Sequence, residues 1–132
     1  MGSTVHLAGF IPYPEMPRYY RLADVFILPS LSTKGWIEQF GYVLAEAMAC
    51  GVAAVGSSSG AIPEVIGDPT KIFPEGSVDG MIAVLLDVKK KGAKSEGKKA
   101  RERAVSVYSS KNLAQKIKEV YWKLLEGVEL KA

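Results

Sequence analysis

Two short runs of apolar residues, separated by one helix-like stretch, constrain the fold of this chain more than any other feature of its sequence. The runs VFIL (Val25 to Leu28) and VAAVG (residues 52–56) lack alternating polar positions, which is typical of strands buried on both faces. Between them, FGYVLAEAMAC is rich in good helix formers and is followed by Gly51, which can adopt the left-handed conformation of many helix ends. Strands that alternate with helices predict an α/β fold with an open parallel sheet covered by helices on both faces.

The rest of the chain continues this alternation. VHLAGF (residues 5–10) predicts a strand, because it is a short apolar run that the three prolines of IPYPEMP then end. KIF, after the turn GDPT, predicts a third brief strand. Helices are expected in four further places, besides a short helical piece from Pro17: Pro63 to Ile66, a helix capped by Ser77, one near Ser95 to Val107, and one from Lys111 to Glu126.

Length and composition favour one packed domain. The chain has 132 residues, of which 48% are hydrophobic, and this is enough for one ordinary domain but not for two. It contains no run of about 18 uncharged apolar residues, and its start does not resemble a signal peptide. The single cysteine, Cys50, lies in an apolar run where a buried thiol is the usual interpretation. We therefore expect a cytoplasmic protein.

Much of the positive charge is concentrated in one segment, KKKGAKSEGKKARER, from Lys89 to Arg103. The whole chain has a net charge of only +3. The lysines alternate with Gly, Ala and Ser and lack interleaved aromatic residues, which favours a solvated junction between two helices over a nucleic-acid groove. Peripheral contact of this segment with an anionic membrane surface, or with an acidic partner, is the alternative.

Two glutamates in GWIEQFGYVLAEAMACG (residues 35–51) define the candidate site. Taken alone, Glu38 and Glu46 are more typical of surface charge. However, they bracket the start of a helix that follows a strand, where ligands of parallel sheets bind and where free N–H groups attract phosphate. Gly41 leaves room for that approach. Glu46 lies about 7.5 Å further along the helix, at 1.5 Å per residue, and its carboxylate suits a ribose diol.

The surrounding segments make the similarity specific. EQFGYVLAEAMACG followed by VAAVGSSSGAIPEVIG resembles the E-x-F-G-x-x-x-x-E signature of retaining glycosyltransferases of family 4, which have the GT-B fold. VHLAGFIP resembles the preceding strand and turn of that family, LADVFILPS its A-D-V-x-x-x-P-S strand, and VYSSKNLAQKIKEVYWKLL its terminal helix. The resemblance covers nearly the whole chain in the right order. It implies a Rossmann-like domain, the truncated carboxyl-terminal half of a GT-B enzyme, spanning residues 1–132.

The resemblance also implies roles for individual residues. Glu46 would bind the ribose diol of a nucleotide diphosphate sugar, and Glu38 would bind the hydroxyls of the donor sugar and act as the catalytic residue. The turn after Gly9, through the backbone of Ile11, would contact the base. The backbone amides of four residues would face the sugar and the diphosphate: Gln39, Phe40, Gly41 and Tyr42. Weaker candidates, which a tight structural turn explains equally well, are Ser30, Gly60 and Ala61.

The expected activity is transfer of a sugar, with retention, from a nucleotide-sugar to an acceptor. No cofactor and no metal are expected, since the sequence has no Asp-x-Asp or His-Cys cluster. The acceptor domain and a basic pair that would neutralise the diphosphate lie outside these 132 residues, so the isolated chain is expected to be inactive. DPTKIFPEG departs from the family's N-G-L-L-V-like run. The alternatives are a nucleotide-binding or interaction module without transferase activity, and a nucleotide-sugar epimerase of similar fold.

Overall fold

A computed structural model describes residues 4–126 as a three-stranded parallel sheet with six α-helices. The strands are β1 (Val25–Leu28), β2 (Ala53–Ser57) and β3 (Ile72–Phe73). The helices are α1 (Met16–Tyr20), α2 (Tyr42–Ala49), α3 (Ile62–Ile66), α4 (Val78–Lys91), α5 (Ala93–Tyr108) and α6 (Ser110–Leu125). These elements confirm the predicted α/β class, and the predicted strands at VFIL, VAAVG and KIF are all present.

The sheet has the strand order β1-β2-β3, and both strand pairs are parallel. Val25 lies opposite Ala53, and Gly56 lies opposite Ile72. Every residue of the central strand β2 is buried, as its apolar run predicts. The prediction that VFIL is buried on both faces is only partly correct. All four residues of β1 are half-buried, because β1 pairs with one neighbour and forms an edge of the sheet.

Helices cover both faces of the sheet. Ala54 packs on one side with residues of α2, α3 and α5, including Leu44 and Ile62, both of which are fully buried. Val55, the next residue along β2, packs on the opposite side with Phe73 and with Val88 of α4. Because successive side chains of a strand point to opposite faces of the sheet, β2 contributes residues to two apolar clusters. The carboxyl edge of the sheet is thereby fixed between two helical layers.

The strand predicted for VHLAGF (residues 5–10) is not formed. These residues have neither helical nor strand structure, and the side chains of Leu7 and Phe10 are exposed. A strand requires a hydrogen-bonding partner, and within residues 4–126 the sheet consists of β1, β2 and β3, with β1 at its edge beside β2. The apolar pattern predicted the tendency to extend, but within the described residues no neighbouring strand pairs with this segment.

Local signals at the helix ends agree with the structure. The side chain of Ser77 accepts a hydrogen bond from the backbone N–H of Gly80 at 3.0 Å and so caps α4. Gly67 ends α3 in the left-handed region, with φ of 67°. The helix predicted near Ser95 begins slightly earlier, and α6 is capped by Ser109 instead of starting at Lys111. Between residues 4 and 126, no helix combines the length and the apolar character needed to cross a membrane.

Candidate functional site

The loops that leave the three strands are joined by a network of hydroxyl groups and one carboxylate. The fully buried Ser57, at the end of β2, donates its hydroxyl to the backbone carbonyl of Ser30 at 2.6 Å. Beyond β1, Ser32 donates its N–H and its hydroxyl to the carboxylate of Glu75, at 2.6 and 2.8 Å. The Ser32 hydroxyl also lies 2.9 Å from that of the buried Ser59. The carboxyl ends of all three strands are therefore tied together.

The pKa of Glu75 shows that this network favours the ionised form of the carboxyl group. It is lowered from its usual value, chiefly by the backbone N–H of Ser32 and then by the Ser32 hydroxyl. Burial of the carboxylate acts in the opposite direction, but these donors outweigh it, so the pKa of Glu75 is lowered overall. The network is therefore built around an ionised Glu75 at neutral pH.

The loop between β1 and α2 carries Glu38 and is anchored along its length. Thr33 and Trp36 form an isolated antiparallel bridge, with the Thr33 N–H donating to the Trp36 carbonyl at 2.8 Å. Further along, the Ala61 N–H donates to the backbone carbonyl of Glu38 at 3.0 Å. A Cβ added at Gly60 would collide with that same carbonyl. The structure thus gives Gly60 and Ala61 a defined task, which is to hold the backbone of Glu38.

The carboxylate of Glu38 lies at the start of α2, where it accepts a hydrogen bond from the Gly41 N–H at 3.0 Å. The first N–H groups of a helix lack partners within the helix, so a carboxylate nearby satisfies one of them. Gly41 itself has φ of 75°, and a Cβ there would lie 3.1 Å from Leu44 and 3.3 Å from Leu28. This position therefore needs glycine for its backbone conformation and for its packing against Leu44 and Leu28.

Glu46 is held by two tyrosine hydroxyl groups. The Tyr20 hydroxyl donates to one carboxylate oxygen at 2.8 Å, and the Tyr13 hydroxyl donates to the other at 3.2 Å. Burial, and then the bond to Glu46, raise the pKa of Tyr20, while the bond to Glu46 is the main cause that raises the pKa of Tyr13. Both phenols stay protonated donors at neutral pH. A carboxylate has about four lone-pair positions, so two remain for hydroxyl groups of a ligand.

The other predicted residues lie close to this centre but play different parts. Phe40 is half-buried, and its ring centroid lies 4.9 Å from that of Tyr42 and 5.4 Å from that of Tyr108. Tyr42, the first residue of α2, is 74% exposed. Gln39 is exposed on the loop, and Ile11 is half-buried two residues before Tyr13. The Phe40 side chain thus packs, whereas Tyr42 and Gln39 face outward.

A groove of about 650 Å³ runs between this site and the last two helices. Tyr13, Glu46, Phe40 and Tyr42 contribute to one wall, and residues near the end of α5 and the start of α6 form the other. It places the carboxylate of Glu46 beside a mostly apolar surface. This arrangement suits a ligand that combines hydroxyl groups with a flat apolar ring.

The sequence did not predict the residues that hold Glu46 or those that tie the neighbouring loops together. Tyr13 and Tyr20 precede Glu46 by 33 and 26 positions. Ser32 and Glu75 lie 43 positions apart. No local spacing connects such residues, since Tyr13 and Tyr20 reach Glu46 through the contact of the segment before β1 with α2, and Ser32 reaches Glu75 through the pairing of the strands. The available signal was the phenol-rich stretch before β1 and the concentration of serine after β2.

The basic segment of residues 89–103 forms the end of α4 and most of α5. Several of its charges are used internally. The Lys91 ammonium lies 2.7 Å from Asp87, and that of Lys99 lies 2.7 Å from Glu96. Arg103 donates to the backbone carbonyls of Val65 and Glu64. These contacts fit a junction between helices. Among residues 4–126, no group of three or more His, Cys, Asp or Glu residues lies close enough to hold a metal ion.

Comparison with known proteins gives one consistent family. Residues 1–107 match the family model described as glycosyl transferases group 1. The chain is 41% identical, over 65% of its length, to the amylovoran biosynthesis glycosyltransferase AmsK of Erwinia amylovora, of which it covers 22%. It is 32% identical, over 97% of its length, to the MMP alpha-(1->4)-mannosyltransferase of Mycolicibacterium hassiacum, of which it covers 31%. The chain thus spans less than a third of the length of these curated relatives.

A solved structure shows the same fold. The sucrose-phosphate synthase of Thermosynechococcus elongatus superposes with a TM-score of 0.78 and 25% sequence identity. The match covers 96% of this chain and 31% of that protein. The open parallel sheet of this chain, with helices on both faces, corresponds to the Rossmann-like architecture of the GT-B fold. The family model, the curated relatives and the fold agree, and this chain belongs to the group 1 glycosyltransferase family.

Proposed function

We propose that this chain is the nucleotide-sugar donor domain, the carboxyl-terminal half, of a retaining glycosyltransferase of family 4. The observation that carries the proposal is the setting of Glu46. Its carboxylate is oriented by Tyr13 and Tyr20, borders a groove, and lies within the helix whose start is marked by Glu38 and Gly41. A carboxylate prepared in this way can accept two hydroxyl groups at once, as a ribose diol requires.

The proposed roles follow the order of groups in a nucleotide-sugar. The backbone near Ile11 contacts the base, and Glu46 binds the ribose diol. The amides of Gln39, Phe40, Gly41 and Tyr42 at the start of α2 face the diphosphate and the sugar, where the helix dipole favours negative charge. Glu38 accepts hydroxyl groups of the donor sugar. Since the Gly41 N–H now bonds to Glu38, a bound diphosphate would compete for that amide and release the carboxylate toward the sugar.

The chemistry proposed is transfer of a hexosyl group with retention at the anomeric carbon. The bond between that carbon and the diphosphate oxygen breaks, the acceptor hydroxyl oxygen forms the new bond to the carbon, and the proton of that hydroxyl passes to the departing diphosphate oxygen. This chain would contribute positioning of the donor and hydrogen bonds to the negative charge that develops on the diphosphate. A basic pair and an amino-terminal acceptor domain, both outside these residues, would complete the enzyme, so the isolated chain would bind donor without turnover.

Calorimetric titration with UDP, GDP and ADP tests the donor site. We expect at least one of the three to bind and to raise the thermal unfolding temperature, since a ligand that binds only the folded state stabilises it. Glu46→Ala should weaken this binding far more than Glu38→Ala, because in the proposal only Glu46 contacts the nucleotide. Circular dichroism of each variant serves as the folding control.

Two results would contradict the proposal. One is the absence of binding by any of the three nucleotides to a chain that circular dichroism shows to be folded. The other is unchanged nucleotide affinity in Glu46→Ala, which would remove the ribose assignment. Glu38→Gln supplies a matched variant, since it removes the negative charge near the diphosphate position while keeping the size of the side chain. We expect it to bind the free nucleoside diphosphate as well as or better than the unmodified chain.

For the cell, we propose a cytoplasmic location, with the exposed lysines of residues 89–103 as the part that would contact an anionic membrane. Lys89, Lys90, Lys94 and Lys98 are exposed on α4 and α5, which supports such a contact. Co-sedimentation with vesicles of phosphatidylglycerol, and its loss when these four lysines are replaced by glutamine, would test it. Sedimentation equal to that with neutral phosphatidylcholine vesicles would argue against a membrane role.

A further inference from the structure

A second groove lies beside Glu38, on the loop that leads into α2. Its volume is about 410 Å³, and its lining includes Ser32, Thr33, Lys34, Trp36, Ile37 and Gln39. Glu38 is not part of this lining, although the residues on either side of it are. The groove therefore adjoins the proposed donor site and shares Gln39 with it.

Two apolar residues that line this groove, Trp36 and Ile37, are partly exposed to solvent. The side chain of Trp36 is 52% exposed and that of Ile37 is 51% exposed. One exposed apolar residue is ordinary, but a large indole next to a second exposed apolar side chain at the edge of a site is a feature of binding surfaces. The indole has a flat face that packs against C–H groups and an N–H that can donate a hydrogen bond.

The Trp36 turn is held rigidly, which matters because an ordered surface loses less entropy when it binds. Thr33 and Trp36 close the turn through two backbone hydrogen bonds, at 2.8 and 3.4 Å. Before the turn, Ser32 is fixed to Glu75 and Ser59. After it, the Glu38 carbonyl accepts the Ala61 N–H. Both ends of the turn are thus attached to loops from other strands.

The polar groups around the indole suit a neutral sugar. The hydroxyl of Thr33, the ammonium of Lys34 and the amide of Gln39 belong to side chains that line the same groove. A pyranose ring has a face made of C–H groups and a rim of hydroxyl groups, and it therefore complements an indole bordered by donors and acceptors. The carboxylates of Glu38 and Glu75 are both engaged with backbone N–H groups at the edges of this loop.

We propose that this groove binds a pyranose ring of the acceptor, stacked on the indole of Trp36. The inference rests on the proposed function, since it places the acceptor sugar next to a donor sugar held by Glu38. It goes beyond that function in assigning part of the acceptor site to this domain and in identifying the acceptor as a carbohydrate. Trp36 is assigned a binding role and no role in bond making.

The two tryptophans of the chain allow a direct test. Trp122→Phe leaves Trp36 as the single tryptophan, and Trp36→Phe leaves Trp122. An α-linked mannose disaccharide and maltose are titrated from about 1 to 100 mM, the range expected for millimolar affinity. We expect a saturable change in the emission of Trp36 with at least one disaccharide, and no change in the emission of Trp122. An unchanged Trp36 signal with both sugars, or an equal response from Trp122, would overturn the proposal.

Saturation-transfer nuclear magnetic resonance then tests whether the sugar ring stacks on the aromatic side chain of residue 36. We expect transfer to the C–H protons of the bound sugar to be at least fivefold weaker in Trp36→Ala and to be largely restored in Trp36→Tyr. Trp122→Ala is the matched control and should transfer as the unmodified chain does. Equal transfer in Trp36→Ala and the unmodified chain would contradict stacking on Trp36.

Nucleotide binding distinguishes failure of this inference from failure of the proposed function. Trp36→Ala should retain its affinity for the nucleoside diphosphate, and a chain saturated with that nucleotide should still bind the disaccharide. Nucleotide binding without a sugar response would overturn the acceptor groove and leave the donor site standing. A sugar response without nucleotide binding would support the groove and contradict the donor site. If the nucleoside diphosphate displaced the disaccharide, the two ligands would share one site, which would contradict the proposed acceptor groove.

Discussion

The carboxylate of Glu46 is held by two phenols that differ in burial, and this difference makes the role of each testable. Tyr20 is 4% exposed and bonds at 2.8 Å, whereas Tyr13 is 73% exposed and bonds at 3.2 Å. A hydrogen bond to a charged group contributes about 1.5–3 kcal/mol when buried. We expect Tyr20→Phe to weaken nucleotide binding about tenfold, since Glu46 loses its better-ordered donor, and Tyr13→Phe to weaken it about twofold. Calorimetry on both variants measures this, and a larger effect for Tyr13→Phe would contradict it.

Gly60 controls the backbone of Glu38 through close approach. Its φ is 52°, and a Cβ at this position would collide with the Glu38 carbonyl. We expect Gly60→Ala to lower the free energy of unfolding by at least about 1–2 kcal/mol, the usual cost of a left-handed non-glycine residue, with the displaced loop adding to it. Thermal unfolding measures the effect. Gly35→Ala is the control, because Gly35 has open space around it and no positive φ, and an equal loss in both variants would refute this role.

At the residue level, the sequence allowed the grouping of neighbouring residues to be predicted, but not the contacts that depend on the fold. Glu38, Gly41 and Glu46 lie within one short segment, so helix propensity and the position after β1 were enough to bring them together. Tyr20 and Glu75 are brought to their partners by tertiary structure, and no local spacing in the sequence links them to those partners. The roles of Glu38 and Glu46 toward a ligand stay predictions.

At the level of elements, one buried ion pair joins α5 to the segment before β3. The ammonium of Lys71 lies 2.6 Å from Glu96, and both side chains are almost fully buried. Lys71 and then Lys99 lower the pKa of Glu96 from 4.5 to about 2. A group with a lowered folded-state pKa stabilises the fold above its unfolded pKa and loses this contribution as the pH falls through the folded value. Stability should therefore decline between about pH 4.5 and pH 2.

Glu96→Gln tests this pair. Removing one partner leaves Lys71 buried beside the more distant Asp87, at 3.6 Å. Breaking a buried pair typically costs about 3–5 kcal/mol, and the remaining contact with Asp87 places the expected loss near the lower end. Chemical denaturation at pH 7 measures the loss, and the same variant should show a flatter stability curve below pH 4.5. Glu102→Gln, on the exposed side of α5, should change little, and a similar loss there would show that general charge is responsible.

The sequence predicted strands correctly where two apolar runs pair with each other. VFIL and VAAVG pair with each other, so two apolar runs and one helix pattern were sufficient to predict a parallel pair. VHLAGF is also a largely apolar run, but residues 5–10 form no strand, because an apolar pattern does not specify a hydrogen-bonding partner. A strand forms only when another strand accepts and donates its backbone hydrogen bonds. A helix such as α4 makes these bonds within itself and carries its own capping residue.

For the whole molecule, the sheet and five helices form the packed unit, and α6 extends from it. Apolar clusters on both faces of β2 draw residues from α2 to α5, whereas α6 has no buried residue. Its apolar side chains, such as Ile117 and Leu124, are 45% and 57% exposed. An exposed apolar face of this size contributes little to the stability of the chain and promotes association.

Deletion of residues 110–132 is therefore expected to leave the fold intact. We expect the unfolding temperature to change by only a few degrees, because little apolar area is lost from the core, and self-association measured by sedimentation velocity to decrease. Val88→Ala, in the cluster between β2 and α4, is the comparison. It removes fully buried methyl groups and should cost about 1–3 kcal/mol, on the scale of other large-to-small core substitutions. If the deletion destabilised the chain more than Val88→Ala does, α6 would have to be counted as part of the folding unit.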